Sequence, residues 1–299
     1  MESILVLGSE GFIGSHAVAH FRSLGHRVFC ADIVLKEALD YSIINPEAPN
    51  FASLFIKQPY LACINATGAA NVQLSFGNPS LDYALNVSNV YHLLDAIRLH
   101  QPTCKFVNLS SAAIYGNPIS LPIHEQHQPK PVSPYGWHKL YAEQICSEFY
   151  QYFGVATQNA RIFSAYGPGL KKQLFWDLYN KISSAKDHVD MFGTGKETRD
   201  FIYIDDLTHA LERLVMNAPF KGGCTNLASG IESGISEAVD IFISLLGKNV
   251  IPCFTGIGKF GDPINWRADI SELRSYGFEQ KVSLHQGINQ YITWLKEKG

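Results

Sequence analysis

A short apolar run that leads into three regularly spaced glycines is the feature that most constrains how this chain can fold. Residues 4–7 are all apolar, and Gly8, Gly11 and Gly14 follow at intervals of three. Such a run is typical of a strand buried on both faces of a parallel sheet, and the apolar residues after Gly11 recur with the spacing of a helix. Glycines between a strand and a helix let the backbone approach a pyrophosphate, whose charge the helix N-terminus favours. We therefore interpret this turn as a phosphate-binding site.

A second apolar run, residues 28–31, ends at the carboxylate of Asp32, which lies 18 residues beyond Gly14. An acid at about this place in a dinucleotide-binding fold hydrogen-bonds the adenosine ribose. Because such an acid repels a 2′-phosphate, the sequence favours NAD over NADP, although Lys36 nearby would suit a phosphate. The G-x-x-G-x-x-G spacing differs from the common G-x-G-x-x-G. Asp32 could alternatively be an ordinary turn residue at a strand end.

Size and charge narrow the classes of function. The 299 residues are enough for a large core in one or two domains. A formal net charge of −3 gives no excess of basic charge for nucleic acid, and no segment reaches the apolar length of a membrane span. The six cysteines and eleven histidines show no metal-binding spacing, so we predict no metal. We expect a cytoplasmic protein whose partners are small molecules or a second copy of the chain, with no role for nucleic acid or membrane.

The alternation of strand-like and helix-like segments predicts the fold class. It is typical of an α/β fold with a doubly wound parallel sheet. After residues 167–169 the alternation loosens and glycines cluster, which indicates a smaller C-terminal lobe. Residues 32–60 contain three prolines and predict a loop or a brief helix. Strands are predicted over residues 4–7, 27–31, 62–65, 105–109, 157–162 and 201–204, and long helices over 81–99 and 135–152.

Two further motifs provide groups for acid–base chemistry. Ser111 follows a predicted strand, where open α/β sheets place their ligands, although a serine there could simply cap a helix. Tyr135 and Lys139 are one helical turn apart behind Pro134, a residue that suits the first turn of a helix. A phenol titrates at about pH 10 in water, so a neighbouring ammonium group is needed for it to act as a base near neutral pH. The Y-x-x-x-K spacing also arises by chance, but its position after the glycine turn and Ser111 favours hydride chemistry on a nicotinamide nucleotide.

Taken in order, the motifs resemble those of one enzyme family. The chain is similar to extended short-chain dehydrogenases/reductases of the NAD-dependent epimerase/dehydratase family, which act on nucleotide sugars as UDP-glucose 4-epimerases do. The resemblance covers nearly the whole chain and rests on residues 8–14, 110–116, 133–139, 161–169 and 199–206. It implies a Rossmann-like NAD-binding domain over residues 1–166, with a return segment around 199–228, and a smaller substrate-binding lobe mainly over 167–299.

The resemblance also implies roles for single residues. Ser111, Tyr135 and Lys139 match the catalytic triad. Positions expected to contact NAD are Gly8, Gly11, Phe12, Ile13, Gly14, Asp32, Ile33, Asp40, Tyr41, Ala66, Thr67, Gly68, Asn86, Tyr135, Lys139 and Phe163. Positions expected to contact the substrate are Ser111, Ser164, Arg199, Lys259 and Asp262.

Some of these positions carry unusual residues or allow another interpretation. Arg199 would grip the diphosphate with its guanidinium fork, or could instead form an ion pair with Asp200 or Asp205. Ser164 stands where relatives commonly have asparagine, and Lys259 stands where an arginine is common. The diphosphate contacts and the substrate are therefore left open by the sequence.

One absence narrows the reaction. Family members that remove water or carbon dioxide typically carry an acid just after the catalytic serine, where this chain has Ala112 and Ala113. Alanine cannot donate a proton, so dehydration is disfavoured. An epimerase acting at C4 of a nucleotide hexose remains, with an NAD(P)H-dependent reductase of a 4-keto-6-deoxy sugar as the alternative. Asp32 favours NAD and hence the epimerase, and a non-catalytic regulatory protein is the third hypothesis.

The assembly state is also implied by the resemblance. Family members form homodimers through a four-helix bundle, and the helices around Asn86 and after Tyr135 resemble those that form it. The same apolar stripe could instead face the sheet. Candidate contacts are Tyr91, Leu94, Tyr141, Ile145 and Phe149.

Overall fold

The strands and helices follow the predicted alternation closely in the first half of the chain. The computed structural model describes residues 2–258 and 261–298. The strands are β1 (Ser3–Leu7), β2 (Arg27–Asp32), β3 (Tyr41–Ile43), β4 (Ala62–Asn65), β5 (Lys105–Ser111), β6 (Thr157–Ile162), β7 (Ser164–Tyr166), β8 (His188–Met191), β9 (Thr198–Tyr203), β10 (Lys221–Leu227), β11 (Glu232–Gly234) and β12 (Ile251–Phe254).

The helices lie between these strands and at the C-terminal end. A π-helical turn (Ala84–Ser88) joins the fourth helix to the fifth, and a 3₁₀ turn (Ala112–Tyr115) follows β5. The helices are α1 (Phe12–Ser23), α2 (Ala52–Ile56), α3 (Val72–Gly77), α4 (Pro79–Tyr83), α5 (Asn89–His100), α6 (Pro134–Phe153), α7 (Gln173–Ser184), α8 (Ile204–Asn217), α9 (Ile235–Leu246), α10 (Ser271–Ser275) and α11 (Leu284–Lys298).

Seven parallel strands form the central sheet, in the order β10-β6-β5-β4-β1-β2-β3. The chain moves outward from β1 in one direction through β2 and β3 and then returns to continue on the other side from β4. The carboxyl ends of β1 and β4 therefore flank the point where the strand order reverses, which is where open α/β sheets bind their ligands.

Alternate residues of each strand face opposite helical layers. On β1, Ile4 and Val6 pack into the core that includes residues of α1 and α8, whereas Leu5 and Leu7 pack with residues of α5 and α6. Burial on both faces favours apolar residues at successive positions, which explains the uninterrupted apolar run in the sequence. The predicted doubly wound α/β class is confirmed.

The smaller lobe is built from two short sheets. One has the order β11-β9-β7 and the other pairs β12 with β8. The predicted strand over 201–204 is wrong in its bounds: β9 spans Thr198–Tyr203, pairs with β7 and β11 rather than in the central sheet, and Ile204 begins α8. Asp205 and Asp206 in the first turn of α8 favour a helix N-terminus at this point.

The remaining differences lie where the sequence signal was weak. Residues 32–60 contain β3 and the short helix α2. The edge strand β10 carries glycines and polar residues in place of an apolar run, so its pattern does not indicate a strand. The segment 204–227 nevertheless supplies α8, which packs against α1, and β10, which pairs with β6. Across the described ranges, no helix has the length and apolar character needed to cross a membrane.

Candidate active site

The glycine turn is shaped by close backbone contacts. Gly8 has φ +74°, a left-handed conformation that favours glycine, and a Cβ there would lie 2.6 Å from the carbonyl oxygen of Ala66. A Cβ at Gly14 would overlap the carbonyl oxygen of Gly8. The first turn of α1 therefore packs directly on the glycine turn, which in turn touches the segment after β4. This arrangement presents the N-terminal amides of α1 at the carboxyl ends of β1 and β4.

Asp32 fixes the second part of this site. Its carboxylate is 8% exposed and accepts hydrogen bonds from the backbone N–H groups of Glu10 at 2.8 Å and Ile33 at 2.7 Å. The acid is thus bound to the glycine turn, as a ribose-binding acid beside a pyrophosphate site would be. Lys36, the residue that would suit a 2′-phosphate, is paired instead with Glu10 at 2.8 Å.

Asp40 and Tyr41 are both expected to contact NAD, but the structure brings only Tyr41 near Asp32. The Tyr41 hydroxyl donates to the carbonyl oxygen of Val34 at 2.7 Å, in the segment that follows Asp32. The Asp40 carboxylate instead pairs with Arg27 at 2.8 Å, at the opposite end of β2. We therefore correct the prediction for Asp40, because its charge is occupied by the partner at the start of the strand.

The turn after β4 completes the cofactor side. Thr67 donates through both its backbone N–H and its hydroxyl to Asn65, which holds the turn to the strand end. Gly68 has φ +104°, and a Cβ there would lie 2.5 Å from Oδ1 of Asn86. That Oδ1 atom is buried and, among the described residues, has no hydrogen-bond partner. The glycine turn, Asp32 and this unsatisfied acceptor together fit a dinucleotide along the strand ends.

Tyr135 and Lys139 are positioned by the start of α6. Ser133 caps the helix by accepting a hydrogen bond from the N–H of Gly136 at 3.2 Å, and Pro134 occupies the first turn. The Lys139 ammonium donates to the carbonyl oxygen of Leu109 at 2.9 Å and lies 5.9 Å from the centre of the Tyr135 ring. The pair is therefore anchored to the carboxyl end of β5.

Ser111 both caps a helical turn and lies beside Tyr135. Its hydroxyl accepts a hydrogen bond from the N–H of Ala113 at 3.1 Å and so caps the 3₁₀ turn. It also lies close enough to the Tyr135 hydroxyl to lower the pKa of Tyr135. The neighbouring Ser110 is structural, since its hydroxyl donates to buried Glu143.

Burial moves the pKa values of the two titrating groups apart. It raises the pKa of Tyr135 to about 12, although the Ser111 hydroxyl acts to lower it. Burial lowers the pKa of Lys139 to about 8, and the nearby carboxylates of Asp82 and Glu143 oppose that change. Near neutral pH the lysine is thus largely an ammonium group beside a protonated phenol. Added positive charge at this place would favour the phenolate.

A cleft of about 600 Å³ opens beside these groups. Its walls include Ser111, Tyr135 and Phe163 from the central sheet and α6, and residues of the smaller lobe from the opposite side. The predicted substrate positions Ser164, Arg199 and Asp262 all line it, whereas Lys259 lies outside the described residues. The structure thus brings two of the predicted catalytic residues and three further predicted substrate residues to one cavity, of a volume typical of small-molecule sites.

Arg199 does not form the ion pair with Asp200 that the sequence left open. Its guanidinium group donates to the carbonyl oxygens of Thr198 at 2.8 Å and Ile264 at 3.0 Å, and lies 5.6 Å from the centre of the Trp266 ring. The Asp200 carboxylate instead accepts hydrogen bonds from the smaller lobe, including the N–H of Ala268 at 3.0 Å. The Arg199 guanidinium group lies at the cleft wall, where the Asp262 and Glu197 carboxylates are near enough to act on its pKa.

Several residues of the site were missed by sequence reasoning. Trp266 lines the cleft and donates to the carbonyl oxygen of Gly116 at 3.1 Å, and Lys172 donates across the cleft to the carbonyl oxygen of Ala70 at 3.2 Å. Neither has a local sequence signal, because its partner is more than 100 residues away. Asp82 could have been found from its spacing of four before Asn86. Within residues 2–258 and 261–298, no group of three or more His, Cys, Asp or Glu side chains could hold a metal ion.

A glycine turn at a helix N-terminus, an acid bound to that turn and a tyrosine–lysine pair at the neighbouring strand ends are the features expected of a dinucleotide-dependent enzyme of the short-chain dehydrogenase/reductase type. Residues 4–227 match the model of the NAD dependent epimerase/dehydratase family, and the chain belongs to that family. It is an extended member of the type, and its cofactor is NAD.

Similar proteins cover nearly the whole chain. UDP-glucose 4-epimerase 4 of Oryza sativa subsp. japonica is 28% identical over 339 residues, covering 99% of this chain and 90% of its own. UDP-glucuronate 4-epimerase of Thermodesulfobacterium geofontis is 26% identical over 314 residues, covering 98% of this chain and 96% of its own. The crystal structure of UDP-glucuronic acid 4-epimerase from Bacillus cereus, in complex with UDP-glucuronic acid and NAD, has a TM-score of 0.89 at 23% identity, covering 99% of this chain and 100% of that one. The last similarity shows the fold.

Proposed function

We propose that this enzyme interconverts the C4 epimers of a nucleoside diphosphate hexose through a transient 4-keto sugar, with NAD retained throughout the cycle. The observation that carries the proposal is that Ser111 and Tyr135 line the cleft with Lys139 close to the Tyr135 ring, where Ala112 and Ala113 stand in place of an acid. The Oryza and Thermodesulfobacterium relatives, both 4-epimerases by name, support it. With alanines at these two positions, the site lacks there the proton donor that elimination would need.

When bound, NAD supplies a nicotinamide ring that accepts a hydride and returns it. The chain supplies the proton chemistry. Ser111 binds the reacting oxygen, and Tyr135, as a phenolate, takes the proton of the C4 hydroxyl and later gives it back. Lys139 stabilises the phenolate through its ammonium charge. After the 4-keto sugar rotates within the cleft, the same tyrosine returns the proton to the C4 oxygen and the other epimer forms.

We assign the cofactor contacts to the predicted set without Asp40, and the substrate contacts to Ser111, Ser164, Arg199 and Asp262. Arg199 binds the diphosphate, since its guanidinium group lies at the cleft wall and is already oriented by two carbonyl oxygens. We further propose that the central sheet with its helices, including α8 and β10, forms the NAD-binding domain, and that the smaller sheets form the substrate lobe.

We also propose a homodimer through α5 and α6. Of the five contacts predicted for it, Leu94 and Phe149 are buried in the core and face the sheet, so they are wrong as contacts. Tyr91 and Tyr141 are 44% and 38% exposed, and Trp137 beside them is also exposed. Paired aromatic side chains on neighbouring helices suit a second copy. A sedimentation experiment that gives a monomer at micromolar concentration would reject this assembly. The variant Tyr91→Glu should weaken the dimer. The control variant Leu39→Glu, in a loop outside both helices, should leave the dimer intact.

The test of the main proposal is incubation of purified protein with UDP-, dTDP- and GDP-hexoses without added cofactor. Nuclear magnetic resonance would follow the C4 epimers, and acid release would measure retained NAD. Interconversion with retained NAD supports the epimerase. Turnover only after a 4-keto-6-deoxy sugar and NAD(P)H are supplied contradicts it and identifies the reductase.

A further inference from the structure

His138 and Asp82 form a buried hydrogen-bonded pair directly beside Lys139. Nδ1 of His138 lies 2.6 Å from Oδ2 of Asp82, and the side chains are 10% and 0% exposed. Oδ1 of Asp82 accepts a second hydrogen bond, from the amide of Asn86 at 3.1 Å. A buried carboxylate with a donor on each oxygen is held in one position.

Asn86 connects this pair to the cofactor side of the site. Its amide group also donates to the carbonyl oxygen of Ala69 at 3.2 Å, in the turn that follows Gly68. Asp82 lies in α4, just before the π-helical turn (Ala84–Ser88) that contains Asn86. Such turns inside helices are frequent at functional sites. A continuous set of hydrogen bonds therefore runs from the cofactor turn through Asn86 and Asp82 to α6.

The charge of Asp82 acts on both catalytic groups. It raises the pKa of Tyr135 and the pKa of Lys139, and in each case it is the largest effect of a nearby charge. Glu143 adds to the effect on Lys139 but is itself held by Arg161 of β6 at 2.7 Å. Asp82 is therefore the carboxylate with influence on both members of the pair.

The other groups around the imidazole are aromatic. Tyr83 of α4 meets the His138 ring edge-on at 5.4 Å between centres, and Tyr141 of α6 lies 6.3 Å away. The helix α3, which packs against α6, contains no titratable residue. His138 and Asp82 are thus a buried titratable pair near the catalytic end of α6.

We propose that Asp82 and His138 are positioning residues for the epimerase reaction: His138 fixes the Asp82 carboxylate, which holds α6 against the cofactor turn and keeps Lys139 charged beside Tyr135. The assignment rests on the proposed function for its role in turnover, but the effect on Tyr135 exists in the resting enzyme. It can therefore be measured without a known substrate.

The first experiment titrates Tyr135 by ultraviolet absorbance in the NAD-containing enzyme, as the difference between each variant and the same variant carrying Tyr135→Phe. Asp82→Asn keeps the size of the side chain and removes its charge, so the Tyr135 midpoint should move to lower pH. Glu212→Gln is the matched control, because Glu212 pairs with His20 at 3.2 Å on α8 and α1 and should leave the midpoint unchanged. A folded Asp82→Asn variant with the wild-type midpoint would overturn the proposal.

Two variants of His138 test the hydrogen bond separately. Asn at this position places an amide donor where Nδ1 lies, so His138→Asn should retain the wild-type midpoint. His138→Leu leaves the Oδ2 atom of the buried Asp82 carboxylate without this donor and so releases the carboxylate from its position, and the midpoint should therefore depart from the wild-type value. If His138→Asn shifts the midpoint as far as Asp82→Asn does, the role given to the hydrogen bond is wrong. This pair also carries the test if Asp82→Asn does not fold.

Turnover provides the second readout. In Asp82→Asn, both limbs of the pH profile of kcat/KM should move to lower pH, because the phenol ionises more easily and the ammonium group loses an anionic neighbour. A purely structural role would lower kcat/KM at every pH without moving either limb, and that result would overturn the proposal. If no sugar is epimerised but the absorbance midpoint still shifts, the proposed function fails while the positioning role stands.

Discussion

The cofactor side and the substrate side of the cleft are built in different ways. On the cofactor side, contiguous segments form each feature, and Asp32 is held by backbone N–H groups of its own loop and of the glycine turn. On the substrate side, Arg199 and Trp266 come from distant segments and are held by contacts such as the one from Trp266 to Gly116, 150 residues away. The residues of the cofactor side are therefore held by short sequence segments, whereas the residues of the substrate side are held by contacts between distant parts of the chain.

The largest effect is expected at the boundary between the two sides. Tyr135→Phe removes one hydroxyl and should lower turnover by about three orders of magnitude, as loss of a general acid–base group does. Because the ring and Lys139 remain, NAD should still copurify at the wild-type stoichiometry. Steady-state kinetics and acid release of NAD measure the two quantities on the same preparation. Near-normal turnover would contradict the mechanism.

On the substrate side, Arg199→Met should raise KM by about 30-fold, corresponding to about 2 kcal/mol for a hydrogen-bonded charge. Arg199→Lys should recover only part of the loss, because a lysine cannot form the planar fork. The matched control is Arg213→Met, since Arg213 pairs with Glu212 on α8 away from the cleft. If Arg199→Met also lowers the NAD content, the result would contradict the claim that the substrate side and the cofactor side act independently.

On the cofactor side, Asp32→Ala should weaken NAD retention by about tenfold, in line with about 1.4 kcal/mol for a lost charge-assisted hydrogen bond. Asp40→Ala is a matched control from the same segment, because its carboxylate faces Arg27 rather than the glycine turn. Equilibrium dialysis with labelled NAD gives both affinities. An equal loss in the two variants would restore Asp40 to the cofactor site and contradict its present placement.

The same contrast explains which features could be predicted from the sequence. The strands β4 and β6 have the predicted bounds, although only β4 is a mainly apolar segment and β6 carries four polar or charged residues among six. The strand β10 was missed because it lies at the sheet edge and tolerates glycine. Ser111, Tyr135 and Lys139 follow from short motifs, whereas the Asp82–His138 hydrogen bond joins residues 56 positions apart. Such a contact is set by the packing of α4 on α6, which single-sequence periodicity does not describe.

The smallest effect is expected at the contact that joins the two sides. Lys172 of the smaller lobe donates to the carbonyl oxygen of Ala70, just beyond the cofactor turn. Lys172→Met should raise the substrate KM by about threefold, because an exposed single contact of a lysine contributes less than about 1 kcal/mol. Lys171→Met is the adjacent control and should leave KM unchanged. A loss of NAD in Lys172→Met, with KM unchanged, would show that this bridge serves the cofactor turn, so that the two sides are coupled through it rather than independent.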